Sequence, residues 1–347
     1  MNKLIIPTGY MGSGSSAITD LICEFDGYEA DNGTFEYVFL HCPNGLFDLE
    51  DKLLVGNNAL RSDEALRSFE HRMHELYTDK YWWVANYRQK VGENFWKYTK
   101  EFIDSLVQFE SDSYWYMQER VNFSRFIKLA VRAALRVFSG GKIQLKKPLE
   151  YAPMRMSFVT AQEFYQKAQR YINDFLDDMG IREKNIILDQ LLLPHNAYRA
   201  ENYFDDRMEC FVVNRDPRDV FILNKYVWSK GGDPVPFPTD VNDFCDYYKR
   251  LRKAERPCEN VHIHVVQFED LIYKYDESLR QVMDILKIAP KDHIRKKEKF
   301  DPSRSINNTQ LFRKDEYKAE AAVIEKELEE YIYSFPYDND ADIKQSF

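Results

Sequence analysis

The run Gly9-Tyr-Met-Gly-Ser-Gly-Ser-Ser16 carries the most specific chemistry in this 347-residue chain. It follows the apolar residues Leu4, Ile5 and Ile6 and precedes Ile18, Leu21, Ile22 and Phe25, which recur at helical spacing. That order predicts a strand, a glycine loop and a helix. Such a loop points successive backbone N–H groups into a concavity at the positive end of a helix dipole, where phosphate or sulfate is held without any side-chain charge. Gly9, Gly12, Ser13, Gly14, Ser15 and Ser16 are therefore the candidate anion-binding residues. The spacing is that of a phosphate loop, but Ser15 stands where a nucleotide triphosphatase places its lysine, which weakens a kinase or ATPase reading.

Two further strand ends carry polar residues. The apolar run Asn185-Ile-Ile-Leu-Asp-Gln190 ends in Asp189 and Gln190, and a parallel sheet would bring both to the crevice of the glycine loop. With His195, just past Pro194, they are candidates for holding an acceptor. Asp189 has a second reading, as the magnesium-binding acid of a triphosphatase, and His195 a second one, as a brace within its loop. The strand Glu209-Cys-Phe-Val-Val-Asn214 runs into Arg215-Asp-Pro-Arg-Asp219, where Pro217 suits the first turn of a helix and the acids suit its dipole. A guanidinium at that point, Arg215, can bind phosphate bidentately. His262 and His264 lie two apart on a predicted strand face, but no third metal ligand is evident and packing is the preferred reading.

Taken together, the glycine loop with two hydroxyl residues after its last glycine, the Arg215 segment and the later strand leading into Phe268-Glu-Asp-Leu271 resemble sulfotransferases of the bacterial, carbohydrate-modifying kind. The resemblance implies a P-loop-like α/β fold with a central parallel sheet, and 3′-phosphoadenosine 5′-phosphosulfate as donor with no metal. It further implies that the loop holds the 5′-phosphosulfate and Arg215 the 3′-phosphate, and that a hydroxyl on a carbohydrate or glycan accepts the sulfuryl group. Glu36, the one acid in the apolar stretch Thr34-Phe-Glu-Tyr-Val-Phe-Leu40, takes the place of the family's general base, with His195 in reserve; on its own, that stretch reads as an edge strand with Glu36 facing solvent. The loop Phe300 to Thr309 looks like the segment that closes over the donor, which makes Arg304, Ser305 and Asn308 donor contacts. There are two departures. Leu223 stands where the family has a phosphate-binding serine, leaving Asn224 as the substitute, and Gly12 stands where many members have a basic residue. The alternatives are a P-loop kinase of a small molecule or sugar, and a nucleotide-binding homologue without activity.

The bulk properties set the frame. A net charge of −9 and a pI near 5.4 argue against general nucleic-acid binding. Five scattered cysteines without paired spacing read as reduced packing residues. With no leader-like start and no membrane-length apolar run, the chain reads as cytoplasmic. Residues 1–347 read as one α/β domain with a helical, aromatic-rich insertion at about 47–180. Within that insertion Lys128, Arg132 and Arg136 recur every four residues, so the helix at 125–136 carries a basic stripe. It reads as a solvated face or as a peripheral contact with an anionic glycan or the inner membrane surface.

Overall fold

The computed structural model describes residues 2–10, 12–30, 35–111, 123–143, 153–229, 235 and 237–339. In chain order β1 (Leu4–Gly9) and α1 (Ser15–Ile22) are followed by α2 (Leu46–Leu54), α3 (Ala59–Thr78), the single turn α4 (Tyr87–Lys90), α5 (Phe95–Leu106), β2 (Phe109–Ser111), α6 (Phe123–Phe138), β3 (Met154–Met156) and α7 (Ala161–Asp178). The second half runs through β4 (Ile186–Ile187), α8 (Ala200–Tyr203), β5 (Met208–Asn214), α9 (Pro217–Ile222), α10 (Val241–Lys253), β6 (Ile263–Gln267), α11 (Phe268–Tyr273), α12 (Tyr275–Leu286), α13 (Pro302–Ser305) and α14 (Lys318–Glu327).

The central sheet is parallel with strand order β4-β1-β5-β6. Side chains alternate between its two faces. Leu4 and Ile6 of β1, with Met208, Cys210 and Val212 of β5, enter the core shared with α2, α3, α5 and α7. Ile5, Phe211 and Val213 point the other way, into a second core built with α1, α11 and α12. Helices thus cover both faces, which is why β1 and β5 read as continuous apolar runs rather than alternating ones. The chain leaves β1 for β4 on one side and returns to β5 on the other. Connections therefore diverge between the carboxyl ends of β1 and β5, which is where open parallel sheets bind ligands.

The predicted strand over 34–40 does not form among its described residues, 35–40. Its donors are satisfied elsewhere: Tyr37 N–H bonds Asp189 O at 2.9 Å and Val38 N–H bonds the Tyr87 hydroxyl at 2.9 Å, so no ladder is needed. The apolar run instead fills the core, with Phe39 packed edge-on against Tyr87, Phe95 and Phe175. The preceding residues 27–33 also read as a short strand ending in a turn; no strand forms over 27–30, and 31–33 lie outside the described residues. Between 46 and 178 the described residues are mainly helical, as the pattern predicts, with the small antiparallel pair β2–β3 in addition. Phe164, Ala168, Tyr171, Ile172, Phe175 and Leu176 recur at helical spacing and form the buried face of α7, which is opened by a Thr160–Glu163 capping box. Within the insertion, the aromatic residues Tyr114, Trp115 and Tyr116 and the basic residues Lys146 and Lys147 lie outside the described residues, as do 231–234 and 236 later in the chain.

Candidate functional site

The glycine loop leaves β1 at Gly9 and enters α1 at Ser15. A Cβ on Gly9 would collide with Ser13 Oγ and lie 2.7 Å from Val213 O, so this glycine serves tight packing of the loop on β5. Gly12 and Gly14 have φ of 84° and 83°, in the left-handed region that side chains resist. Gly14 also lets the ring of Phe268 approach, since a Cβ there would sit 2.8 Å from its Cδ2. As the N-cap of α1, Gly14 offers no side-chain acceptor, and the first turn holds no acid. First-turn N–H groups have no intrahelical partner, and Ser15 and Ser16 line a cavity of about 480 Å³ at this helix end.

Of the other sequence candidates, Gly12, Gly14, Glu36, Gln190, Arg215, Ser305 and Asn308 line the same cavity. Residues some 300 positions apart in the chain thus meet at the divergence point between β1 and β5. Gly9, Ser13, Asp189, His195, Asn224 and Arg304 are not among the lining residues. Ser13 is buried beneath the loop, and its hydroxyl has no partner among the described residues. Asp189 accepts a 2.7 Å hydrogen bond from the Thr19 hydroxyl, tying the end of β4 to α1, and burial pushes its carboxyl up to about 6. His195 is exposed on the 3-10 turn after Pro194, and Arg304 is exposed on α13.

Arg215 follows β5 directly and is almost fully buried. Nη1 donates to Gly12 O at 3.0 Å and Nη2 donates to Asn308 O, so the guanidinium staples the glycine loop to the late loop. The face of Phe268 lies 4.4 Å away, and Nε is buried without a partner among the described residues. Burial lowers its pKa, while the carboxylates of Asp219, Glu269 and Asp216 oppose the shift. Those acids also build the frame. Asp219 accepts 2.8 Å bonds from the backbone N–H groups of Gln310 and Leu311, Glu269 accepts from Asp216 N–H at 2.8 Å, and Asp216 pairs with Arg218 at 2.8 Å. The cavity wall is held by charge and hydrogen bonds beneath it.

Glu36 stands on the irregular segment that Tyr37 anchors to Asp189. Burial raises its carboxyl pKa, and the neighbouring Asp189 carboxylate adds to the rise. Gln190 is fixed from four sides. Its N–H bonds Pro7 O at 2.9 Å, its Oε1 accepts from the Thr8 hydroxyl at 2.9 Å, its Nε2 donates to Ser15 Oγ at 3.2 Å, and its carbonyl lies 2.8 Å from His41 Nε2. Burial pushes His41 down to about 4, which leaves a neutral ring whose Nε2–H donates to that carbonyl.

Sequence reasoning missed several residues here. Lys299, Asp20, Tyr10, Trp228 and Phe300 line the cavity, and Lys299 joins Arg215 as a cation on its wall. Its ammonium opposes the burial-driven rise of the Asp20 pKa. Lys299 sits in a charged run, Arg295-Lys-Lys-Glu-Lys299, that offers no sequence signal of its own. Its position is set by Glu24, whose Oε1 accepts from Lys299 N–H at 3.1 Å and Phe300 N–H at 3.0 Å. Trp228 closes a π-helical turn, Leu223–Trp228, that presses its indole and Asn224 against Gly12. Leu223 is wholly buried in the core beside α10 and α14. Asn224 bonds Val220 O at 2.9 Å through Nδ2, and its Oδ1 has no partner among the described residues. His262 and His264 both bond Glu209, at 3.2 and 2.8 Å, and Glu209 also holds Lys3 at 2.6 Å.

No family model matches the chain, and no curated protein matches it. Among solved structures it is similar over 96% of its length to the sulfotransferase domain from the Synechococcus PCC 7002 olefin synthase, at 12% identity and a TM-score of 0.40, covering 95% of that chain. It is also similar, over 96% of its length and 99% of the other chain, to the sulfotransferase domain from the curacin biosynthetic pathway, at 14% identity and a TM-score of 0.39. A third is the sulfotransferase STF9 from Mycobacterium avium, at 12% identity and a TM-score of 0.34, with 98% of this chain and 78% of that one covered. Likeness at this level leaves activity to be argued from the residues around the cavity.

Proposed function

We propose that the protein transfers a sulfuryl group from 3′-phosphoadenosine 5′-phosphosulfate to a hydroxyl, with a carbohydrate or glycan as acceptor. The observation that carries this reading is the convergence on one cavity of an uncapped helix N-terminus, a buried arginine and a carboxyl of raised pKa. The loop from Gly12 to Ser16 holds the 5′-phosphosulfate through backbone N–H groups and the hydroxyls of Ser15 and Ser16. Arg215 turns its free N–H donors, Nε among those without a partner in the described residues, toward the 3′-phosphate, with Ser305 and Asn308 beside it. Trp228 and Phe300 offer aromatic faces to the purine.

In the reaction the acceptor oxygen bonds to sulfur as the bond from sulfur to the 5′-phosphate oxygen breaks. Glu36 takes the hydroxyl proton, and the charge left on the departing phosphate is met by the helix end and by Lys299. Lys299 thus fills the role that Gly12 cannot. Gln190, held rigid from four sides, orients the acceptor together with the Asp189 end of β4. The assay is transfer of labelled sulfuryl from the donor to a panel of glycans and lipid-linked sugars. Donor-dependent labelling of an acceptor hydroxyl is expected; labelling of none, alongside phosphoryl transfer from ATP, would move the protein to the kinases.

A further inference from the structure

Helix α6 is unlike the other long helices of the chain. None of its sixteen residues, Phe123–Phe138, is buried. Phe126, Val137 and Phe138 are 61%, 75% and 90% exposed, whereas the phenylalanines of α2, α3, α5 and α7 are all buried. At about 100° per residue, Arg125, Lys128, Arg132 and Arg136 fall within an arc of about 80°, and apart from Ser124 the rest of the circumference is apolar. The segment from 123 to 143 holds five cations and no acid in a chain whose net charge is −9. A wide apolar face open to water, edged by one sign of charge, is a surface built to be covered.

We propose that α6 lies in the plane of an anionic lipid surface, its apolar face in the boundary between headgroups and acyl chains and its cations on the headgroup phosphates. The sequence signature is the one expected for an interfacial helix: a broad apolar face carrying Phe, Leu and Val, and a polar stripe made only of Lys and Arg. Charge selects this occupant over a second copy of the chain. Two α6 helices packed face to face would bring two cationic stripes together with no acid on either to offset them. At sixteen residues with four cations α6 does not span a bilayer, and among the described residues no helix is long and apolar enough to do so. Long basic side chains on such a helix extend along it to reach the phosphates while their stems stay against apolar surface.

Flotation of the full chain with lipid vesicles tests this. The protein should float with vesicles in which roughly a third of the lipid is phosphatidylserine and stay behind with phosphatidylcholine alone. Phe126→Ser with Val137→Ser, and separately Lys128→Glu with Arg136→Glu, should each lower the partition coefficient at least about tenfold. Because all four side chains are exposed, thermal unfolding should be unchanged in both variants. Equal binding to neutral vesicles, or flotation that survives both variants, overturns the proposal. So does the absence of flotation together with self-association that Phe126→Ser with Val137→Ser abolishes, which would assign the face to a second copy.

Discussion

Replacing Arg215 separates its two tasks. In the folded chain the guanidinium donates to Gly12 O and Asn308 O and lies on the Phe268 ring, so it braces the cavity before any ligand arrives. A hydrogen bond to a charged group contributes about 1.5 to 3 kcal/mol. Two such bonds, offset by the desolvation that lowers the Arg215 pKa, make Arg215→Ala destabilising by about 2 to 4 kcal/mol in denaturant titration. A lost bidentate phosphate contact adds a second effect, about 1.5 to 3 kcal/mol in nucleotide affinity, or roughly tenfold to a hundredfold in Kd. Arg215→Lys resolves the two, because it keeps the charge but cannot span both carbonyls or present a fork. It should fold, and it should bind 3′-phosphoadenosine 5′-phosphate about tenfold more weakly by calorimetry. A folded Arg215→Lys with wild-type affinity would refute the phosphate role and leave Arg215 as a staple between two loops.

At Gly14, alanine meets both a left-handed backbone and the Phe268 ring, so Gly14→Ala should cost about 2 kcal/mol of stability and weaken nucleotide binding through the displaced ring; wild-type values for both would remove the loop from the site. Turnover should rise with pH through the Glu36 pKa, at a midpoint above the ordinary 4.5 of a glutamate because the carboxylate is the working form and burial raises the pKa. Glu36→Gln should bind donor normally and lose that limb with a roughly hundredfold or greater fall in kcat, whereas a retained limb together with inactivity of His195→Ala would pass the role to the histidine. Lys299→Ala should lower kcat roughly tenfold to a hundredfold, with a smaller change in donor Kd, if the ammonium meets charge that develops only as the phosphate departs; an unchanged kcat would exclude it.

The parts of this site legible in the sequence are those whose backbone conformation or strand position dictates the residue type. Gly12 and Gly14 announced a left-handed loop, and Arg215 announced itself as a guanidinium at the end of a buried strand. The segment around Glu36 was misread because its apolar run mimics a strand; its donors go to Asp189 O and a tyrosine hydroxyl some fifty residues away, and no local pattern encodes such partners. Lys299 was hidden for a related reason. One lysine in a charged run looks like any other, and only the buried Glu24 carboxylate, gripping two successive N–H groups, sets this one at the cavity. The opposite case is Leu223, where the sequence departs from the sulfotransferase pattern it otherwise resembles: the residue belongs to the core beside α10 and α14, and the neighbouring Asn224 packs near Gly12.

Calorimetric titration with 3′-phosphoadenosine 5′-phosphate, compared with ADP and magnesium under the same conditions, bears most directly on the central claim. An uncapped helix end, two serines and a buried arginine, without a loop lysine, predict tighter binding of the 3′,5′-bisphosphate by at least about tenfold. Tighter binding of ADP with magnesium would contradict the account.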